Sequence, residues 1–383
     1  IYRNPTGAVQ AHTNIHFKLL VPREFRCSAA RLMVGEEFTK QVKTLGLFWC
    51  GMNGEDHEWW ECDFTPEQSG LYFYRFEIDT WRGTLGITSR FGGESGIDEF
   101  GAPEGECWQL TVFESQYQIP DWLSGGIMYQ IFPDRFYRSG TTKYNVPQDR
   151  YLHQRWGSQP EWRPNHQGEI TNSDYFGGDL EGIIQKLDYL QSLGITCIYL
   201  NPIFEAHSNH RYDTADYTKV DPLLGTKEDF KRLCKEANKR GMHIMLDGVF
   251  NHTGSDSIYF NRKGRYQTLG AYQSQESPYY DWYQFYQWPE QYACWWNFET
   301  LPNVNETNET YNAYINGTDG VIQTWLKAGA DGWRLDVADE LPDLFLDDIT
   351  KAAKQVKPTS MILGEVWEDA SNKMAYGQRR RYL

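Results

Sequence analysis

The stretch Gly332–Ala338 (GWRLDVA), together with Leu246–His252 (LDGVFNH) and Ile362–Trp367 (ILGEVW), decides the fold of this chain. In each of the three, an apolar run of strand character gives way to charged and polar residues. In a (β/α)8 barrel the packed strands lie below, and the chemistry gathers at the carboxyl ends of several strands. Three such segments therefore predict the α/β class and a (β/α)8 TIM barrel.

Five strands of that barrel can be located in the sequence. Stretches of helical character separate these apolar runs, as in repeated β–α units. A closed barrel needs eight strands, so we expect the native molecule to contain about a hundred or more further residues, including about three strands. The five predicted strands are Ile127–Phe132, Cys197–Leu200, Ile244–Leu246, Gly332–Leu335 and Met361–Leu363.

The sequence pattern changes near Pro120. Before it, short alternating runs such as Leu71–Phe76 (LYFYRF) predict an all-β sandwich for residues 1–120. After it, residues 121–383 are predicted to form the barrel. Asp247 and Asp336 are 89 positions apart, far more than one βαβ unit needs. We therefore predict an inserted subdomain at about 253–311, after strand three, that walls one side of a cleft.

Composition and charge indicate a large enzyme and exclude a nucleic-acid partner. The 383 residues carry a net charge of −15, without the basic face that phosphates require. No apolar run approaches the roughly 20 residues of a membrane helix, so no membrane partner is expected. The seven cysteines are odd in number and lack paired spacing, which favours a reducing compartment. We expect a cytoplasmic protein, with secretion as the alternative, and leave a homodimer open.

The segments at 332–338 and 362–367 place two carboxylates where they can act as a pair. Arg334 precedes Asp336 by two residues, so both side chains point to one face of a strand. A cation beside the carboxylate should keep it ionised, as a nucleophile must be. Glu365 would instead begin protonated, with Trp367 as the apolar wall that raises its pKa. An Asp and a Glu from neighbouring strands are the pair that retaining glycoside hydrolysis uses.

Two further motifs, with the three segments quoted first, resemble a known family. Ile131–Phe136 (IFPDRF) lies at strand one, and Asn209–Tyr217 (NHRYDTADY) follows strand two. Together they resemble the α-amylase family of glycoside hydrolases (family 13), in its neopullulanase, cyclomaltodextrinase and amylopullulanase branch. The resemblance covers essentially the whole chain, and the region before Pro120 resembles the starch-binding N-terminal module of that branch.

The resemblance implies roles for individual residues. Asp336 matches the nucleophile and Glu365 the general acid/base, while Asp247 would brace Arg334. Family members carry a third essential carboxylate in a His–Asp pair after strand seven, which this sequence lacks, so we expect that pair among the further residues. Tyr212 would provide a stacking platform and His252 a hydrogen-bond donor. The substrate-binding set is thus Tyr212, His252, Arg334, Asp247, Trp367 and Glu340.

The resemblance also raises the question of calcium. Asn251 matches a position that binds calcium in many family members, and branch members often carry an acidic loop after strand one. Here the corresponding stretch, 139–145 (SGTTKYN), has no carboxylate and one lysine. Asp179 remains, but calcium prefers six to eight oxygen ligands, usually several of them anionic. No cofactor is expected to be required, and the ligand set argues against a metal site.

The function implied is a retaining α-glucan hydrolase. The expected partners are starch, pullulan, maltooligosaccharides or cyclodextrins. The segment Val337–Glu340 (VADE) resembles branch members that cleave α-1,4 bonds with some α-1,6 tolerance, and the pullulanase hallmark YNWGY is absent. Two alternatives stay open: a noncatalytic α-glucan-binding protein that keeps the fold, and a glucan-transferring enzyme that uses the same residues.

Overall fold

A computed structural model describes residues 2–89, 95–98, 107–114, 119–168, 170–367, 370, 374–375 and 378–380. The chain divides into two compact units, one of Ile1–Tyr117 with Arg379–Leu383 and the other of Gln118–Gln378. The domain boundary near Pro120 stays a prediction. Within the described ranges, no helix is both long and apolar enough to cross a membrane.

The described part of the first unit consists mainly of β-strands, with a short 3-10 turn at Arg23–Phe25. Its alternating sequence buries every second residue, as in Ile15–Pro22, and its core brings the rings of Phe17 and Tyr74 within 5.0 Å. The strand Val42–Asn53 pairs with one neighbour through its first half and with another through its second, so the described strands form one connected sheet. A two-sheet sandwich and a starch-binding role stay predictions. The strands are β1 Arg3–Asn4, β2 Val9–Gln10, β3 Ile15–Pro22, β4 Ala29–Glu36, β5 Val42–Asn53, β6 His57–Phe64, β7 Gly70–Thr80, β8 Gly83–Ser89, β9 Ser95–Asp98 and β10 Trp108–Phe113.

The second unit is built on a parallel sheet whose strands follow the chain order. The three central strands are largely buried, as expected where helices and core residues cover both faces of a parallel sheet, whereas the first and last strands, at the edges, are more exposed. Each lies within two residues of a predicted strand, and the arrangement is that of part of a (β/α)8 barrel. These strands are β11 Met128–Ile131, β14 Cys197–Leu200, β17 His243–Gly248, β20 Gly332–Leu335 and β21 Met361–Gly364.

Amphipathic helices cover this sheet. The helix Lys227–Asn238 begins with a capping box, in which Thr226 and Asp229 exchange side-chain and backbone hydrogen bonds. Its buried residues Phe230, Leu233 and Ala237 recur at helical spacing and join the core below the strands. The helices are α1 Leu180–Gln185, α2 Leu187–Ser192, α3 Lys227–Asn238, α4 Glu309–Asn316, α5 Val321–Lys327 and α6 Asp343–Val356.

The region between β17 and α4 spans most of the range predicted for the insert, whose role as a subdomain stays a prediction. It is made largely of turns held by buried aromatic rings, such as Tyr259 against Trp282 at 5.3 Å. Single bridges, including His252 with Asn303, tie its two ends together. The predicted range 253–311 runs into α4, which begins at Glu309. The remaining short strands of the chain are β12 Tyr151–Leu152, β13 Asp174–Tyr175, β15 Phe204–Ala206, β16 Thr214–Val220, β18 Phe285–Gln287, β19 Gln291–Tyr292, β22 Met374–Ala375 and β23 Gln378–Arg379.

Candidate active site

The carboxyl ends of three adjacent strands bring their charged side chains onto one guanidinium. Register pairs Asp247 of β17 with Arg334 of β20, and Leu335 with the last residue of β21. The Nη1 of Arg334 donates to Asp247 Oδ1 at 2.9 Å and to Asp336 Oδ1 at 2.8 Å. Its Nη2 lies 2.7 Å from Glu365 Oε2. Three carboxylates thus surround one cation, and the structure brings both predicted catalytic residues to it.

The pKa of Asp336 is raised, whereas the sequence suggested that it would be lowered. Arg334 was expected to keep this carboxylate ionised, and its charge and hydrogen bond do lower the pKa. Burial and the negative charge of Asp247 have the larger effect, however, and together they raise the pKa of Asp336 to about 7. The expectation was wrong in direction because it counted one cation and ignored the neighbouring carboxylates and the loss of water.

The backbone directly after Asp336 helps to position Glu365. Val337 adopts a left-handed conformation, with φ 41° and ψ 47°, which is unusual for a β-branched residue. In this conformation its N–H donates to Glu365 Oε2 at 3.1 Å. Strained backbone of this kind concentrates at functional sites, where surrounding contacts hold it in place. Through this conformation, the backbone directly after Asp336 holds the Glu365 carboxylate, which follows β21.

Asp247 lies deepest in the site. Besides Arg334, it accepts hydrogen bonds from the hydroxyls of Tyr199 at 2.5 Å and Tyr212 at 3.0 Å. Burial raises its pKa to about 6, against the opposing effect of the Arg334 charge. These contacts place Asp247 where the predicted bracing of Arg334 requires it. Tyr199 was missed in the sequence, although it stands on β14 beside β17 and points toward the same end of the sheet.

His252 and Tyr212 lie beside this cluster. His252 is buried, with Nδ1 3.1 Å from Asn251 Oδ1 and its ring 5.7 Å from that of Trp295. Burial lowers the pKa of His252 to about 4, so the ring is neutral and still carries one N–H that can donate. The Tyr212 hydroxyl, besides donating to Asp247, accepts from Asn201 Nδ2 at 3.2 Å.

The other two predicted substrate-binding residues face the insert. Trp367 packs edge-on against Trp296, with ring centroids 5.3 Å apart. Glu340 Oε1 accepts a hydrogen bond of 3.3 Å from Trp296 Nε1 and lines a cavity of about 480 Å³. The sequence reasoning missed Trp296. The pair of adjacent tryptophans in an otherwise polar stretch was the signal that could have identified it.

Residues 130–382 match the family model of the alpha-amylase catalytic domain. The chain belongs to the α-amylase family. Among its curated relatives, the amylopullulanase of Thermoanaerobacterium saccharolyticum is 37% identical over 405 residues, covering 97% of this chain and 31% of that protein. Neopullulanase 2 of Thermoactinomyces vulgaris is 34% identical over 73% of this chain and 45% of its own length.

The solved structures agree with this assignment. The type III pullulan hydrolase from Thermococcus kodakarensis superposes with a TM-score of 0.57 and 30% identity, covering 94% of this chain and 59% of that one. The TIM-barrel fold of the α-amylase family is therefore the fold of the second unit. This chain spans less than half the length of the two curated relatives named above.

The residues considered for calcium are engaged with protein groups in this family member. The Asp179 carboxylate caps α1 by accepting from the Gly182 N–H at 2.7 Å. It also accepts from the Ser139 hydroxyl and forms an ion pair with the Lys143 ammonium, both at 2.6 Å. Over the part of the chain that the structure describes, no three His, Cys, Asp or Glu side chains are grouped to hold a metal ion.

Proposed function

We propose that the protein hydrolyses α-glucosidic bonds of α-glucans with retention, using Asp336 as nucleophile and Glu365 as acid and base. The observation that carries this proposal is the Arg334 guanidinium, which contacts Asp336 at 2.8 Å and Glu365 at 2.7 Å. Carboxylates held by one guanidinium lie close together. Retaining enzymes need a separation of about 5–5.5 Å, whereas inverting enzymes need more room, about 6.5–9.5 Å, for a water molecule.

The two steps follow from these positions. Glu365 protonates the glycosidic oxygen while Asp336 attacks the anomeric carbon, so the leaving chain departs and a glycosyl ester forms. Glu365 then removes a proton from water, which attacks the same carbon and releases Asp336. Arg334 stabilises the carboxylate that is regenerated, and buried Asp247 holds Arg334 in place. Two inversions at one carbon leave the configuration unchanged.

The proton for the first step comes from the carboxylate cluster around Arg334. Two negative charges beyond the one cation would be costly in a buried site, so the cluster retains a proton near neutral pH. In the free site this appears as the pKa of Asp336 raised to about 7. During catalysis the proton must lie on Glu365, next to the leaving oxygen, so that Asp336 can attack as the anion. Because the active form holds this single proton on Glu365, kcat/KM should fall as the pH rises through about 7 and the cluster loses it.

The substrate class is inferred from the relatives and from the loop after Asp336. The relatives are named as amylopullulanase, neopullulanase and cyclomaltodextrinase. We therefore propose starch, pullulan, maltooligosaccharides and cyclodextrins as substrates, with α-1,4 bonds cleaved and α-1,6 bonds tolerated. Asp339 and Glu340, after Asp336, line the cavity next to this site, where they can contact the glucan chain.

The experiment uses the protein in its full natural length with starch, pullulan and β-cyclodextrin. We expect reducing sugar to be released, with the new chain end first detected in the α configuration by proton NMR. Release of the β anomer would contradict retention. Binding without any release of sugar from wild-type protein would instead favour the noncatalytic glucan-binding alternative.

We also propose a reducing, cytoplasmic compartment. All seven cysteines are free thiols, and Cys62, Cys197 and Cys234 are buried. Burial raises the pKa values of the Cys62 and Cys197 thiols to about 12, which makes them unreactive. Counting titratable thiols in protein purified without reductant tests this, and fewer than seven in the denatured protein would argue for secretion.

A further inference from the structure

A chain of side-chain hydrogen bonds runs from the first strand of the parallel sheet to Asp247. Gln130 of β11 donates through Nε2 to Asn201 Oδ1 at 2.9 Å, and Asn201 Nδ2 donates to the Tyr212 hydroxyl at 3.2 Å. That hydroxyl donates in turn to Asp247 Oδ2 at 3.0 Å. Asn201, directly after β14, stands in the middle of this chain.

Asp247 fixes the direction of each bond in the chain. Burial raises its pKa to about 6, so at neutral pH it is mostly an anion, and an anion can only accept. The single hydroxyl hydrogen of Tyr212 therefore goes to Asp247, and the hydroxyl oxygen accepts from Asn201. Asn201 must then turn its NH2 group toward Tyr212 and its carbonyl toward Gln130. An amide meets both demands because it carries a donor and an acceptor side by side.

The position of Asn201 is itself well fixed. Its backbone N–H donates to the Ile131 carbonyl at 2.9 Å, which continues the pairing of β11 with β14 by one residue. Its half-buried side chain is hydrogen-bonded at both ends. A group held in this way can keep a neighbouring hydroxyl in one orientation. A hydroxyl that accepts a hydrogen bond also donates more strongly to its own acceptor.

The Tyr212 hydroxyl acts on the ionisation of Asp247. The charge of Arg334 and hydrogen bonds from the hydroxyls of Tyr199 and Tyr212 oppose the effect of burial on the pKa of Asp247. Across Arg334, Asp247 faces Asp336, whose pKa its negative charge raises. A change in the hydroxyl of Tyr212 is thus passed on to the proposed nucleophile.

We propose that Asn201 is a positioning residue for the hydrolysis. By donating to the Tyr212 hydroxyl, Asn201 commits that hydroxyl to Asp247 and helps to keep Asp247 ionised. Arg334 then stays where it stabilises the Asp336 carboxylate as this is regenerated. The proposal rests on the proposed function, since Asn201 is expected to act on glucan cleavage through Tyr212.

The test measures kcat and KM for maltotetraose with the protein in its full natural length. Asn201→Leu removes the amide at nearly constant volume, and Tyr212→Phe removes the hydroxyl but keeps the ring. A double variant combines the two. Asn312→Leu is the matched control, because Asn312 of α4 also accepts from one amide, Asn316 Nδ2 at 3.2 Å, and donates onward to Asp348 Oδ2 at 3.1 Å.

We expect Asn201→Leu to lower kcat by about three- to tenfold and to change KM little, because one hydrogen bond is lost while the glucan contacts remain. Tyr212→Phe should lose at least as much. Adding Asn201→Leu to Tyr212→Phe should lower kcat by less than about twofold more, since the hydroxyl through which Asn201 acts is already gone. Asn312→Leu should keep the wild-type kcat.

The alkaline limb of kcat/KM should move as well, which a purely structural role would not cause. With weaker donation from Tyr212, more of Asp247 is protonated, and its charge raises the pKa of Asp336 less. In Asn201→Leu the limb should therefore move to lower pH by a few tenths of a unit. In the double variant it should stay where Tyr212→Phe places it.

A second variant covers the case in which Asn201→Leu folds poorly. Asn201→Asp keeps the shape of the side chain and can still accept from Gln130, but its carboxylate cannot donate to Tyr212. Its kcat should therefore fall by at least as much as expected for Asn201→Leu.

Several results would overturn the proposal. Wild-type kcat in Asn201→Leu or Asn201→Asp would show that the donated hydrogen bond is unimportant, and an equal loss in Asn312→Leu would show that the effect is not particular to this chain. The same loss from Asn201→Leu with and without the Tyr212 hydroxyl, or an unmoved alkaline limb, would show that Asn201 does not act through Tyr212. A wild-type protein that does not cleave maltotetraose would refute the proposed function, and the positioning role with it, before any variant is made.

Discussion

Two buried clusters of arginine and aspartate lie in the second unit, and they differ in which charge is in excess. Around Asp221, Arg150 Nη1 donates to both carboxylate oxygens at 2.8 Å, and Arg211 Nη2 donates to Oδ1 at 3.2 Å. Both guanidinium groups also lie over the Tyr175 ring, at 5.3 and 5.4 Å. Two cations here serve one carboxylate, whereas at Arg334 one cation serves three.

The ratio of cations to carboxylates determines the direction in which the pKa of each aspartate is shifted. Burial alone would raise the pKa of both aspartates, but the charges of Arg211 and Arg150 lower that of Asp221. At Asp336 burial and the charge of Asp247 prevail, and the pKa rises to about 7. A buried carboxylate paired with two cations stays ionised and serves the structure. A buried carboxylate that shares one cation with two other carboxylates can take up and release a proton near neutral pH. Asp221 and Asp336 are both buried aspartates, so only the number of neighbouring charges of each sign distinguishes the two clusters.

The largest expected effect comes from removing the proposed nucleophile. Asp336→Asn should lower kcat on maltooligosaccharides by about a thousandfold or more, because the covalent step is lost while glucan contacts remain. Steady-state kinetics and calorimetric binding of a maltooligosaccharide measure the two effects separately. Asp188→Asn, which alters an exposed ion pair with Arg240, is the control and should match wild type. Activity above about a hundredth of wild type would refute the assignment.

The Asp221 cluster should respond in stability. Asp221→Asn leaves Arg150 and Arg211 buried with no anion between them, so we expect the free energy of unfolding to fall by about 3–5 kcal/mol. Urea unfolding followed by circular dichroism measures this. Asp188→Asn is again the control, since its side chain is 81% exposed and its ion pair should contribute less than about 1 kcal/mol. Equal effects of the two substitutions would remove the distinction between the clusters.

Asp336→Asn should have the opposite effect on stability. Folding raises the pKa of Asp336 from its ordinary 3.8 to about 7, so this group's contribution is complete below pH 4 and is lost as the pH rises through 7. The substitution should therefore stabilise the protein at pH 8, by an amount on the order of a few kcal/mol, and change little at pH 4. Thermal unfolding at both pH values tests the sign. Destabilisation at pH 8 would show that Arg334 dominates after all.

The strands could be predicted because their signal is local. Gly332–Leu335 and Cys197–Leu200 were predicted at their observed bounds, since the strands in the middle of a covered parallel sheet are mostly apolar in sequence. The meeting of Asp336 with Glu365 also follows from sequence, because the carboxyl ends of neighbouring parallel strands share one edge of the sheet. The catalytic roles of these two residues stay predictions.

What escaped prediction depends on residues far apart in the chain. The pKa of Asp336 is set partly by Asp247, 89 positions away, and no local pattern reports that proximity. The anion shared by Arg150 and Arg211 is also far from Arg150 in the chain, since Asp221 lies 71 positions away. Trp296 was missed for the same reason, because its contacts with Glu340 and Trp367 lie 44 and 71 positions away.

The smallest expected effect comes from Tyr199, whose hydroxyl contacts Asp247 beside Arg334. The Tyr199 hydroxyl donates to Asp247 and thereby lowers the pKa of that carboxyl. In Tyr199→Phe more of Asp247 should be protonated near pH 6, so its negative charge would raise the pKa of Asp336 less. The alkaline limb of kcat/KM, where the cluster loses its shared proton, should then move to lower pH by a few tenths of a unit up to about one unit.

A pH profile of kcat/KM for Tyr199→Phe, from pH 4.5 to about 8, measures this shift. Tyr311→Phe is the matched control, because its buried hydroxyl donates to the Phe250 carbonyl at 2.8 Å instead of to a carboxylate. That variant should lose some stability and keep the wild-type profile. An unmoved limb in Tyr199→Phe, or one displaced to higher pH, would show that Asp247 does not set the ionisation of Asp336. The carboxylate excess around Arg334 would then not explain the difference between the two clusters.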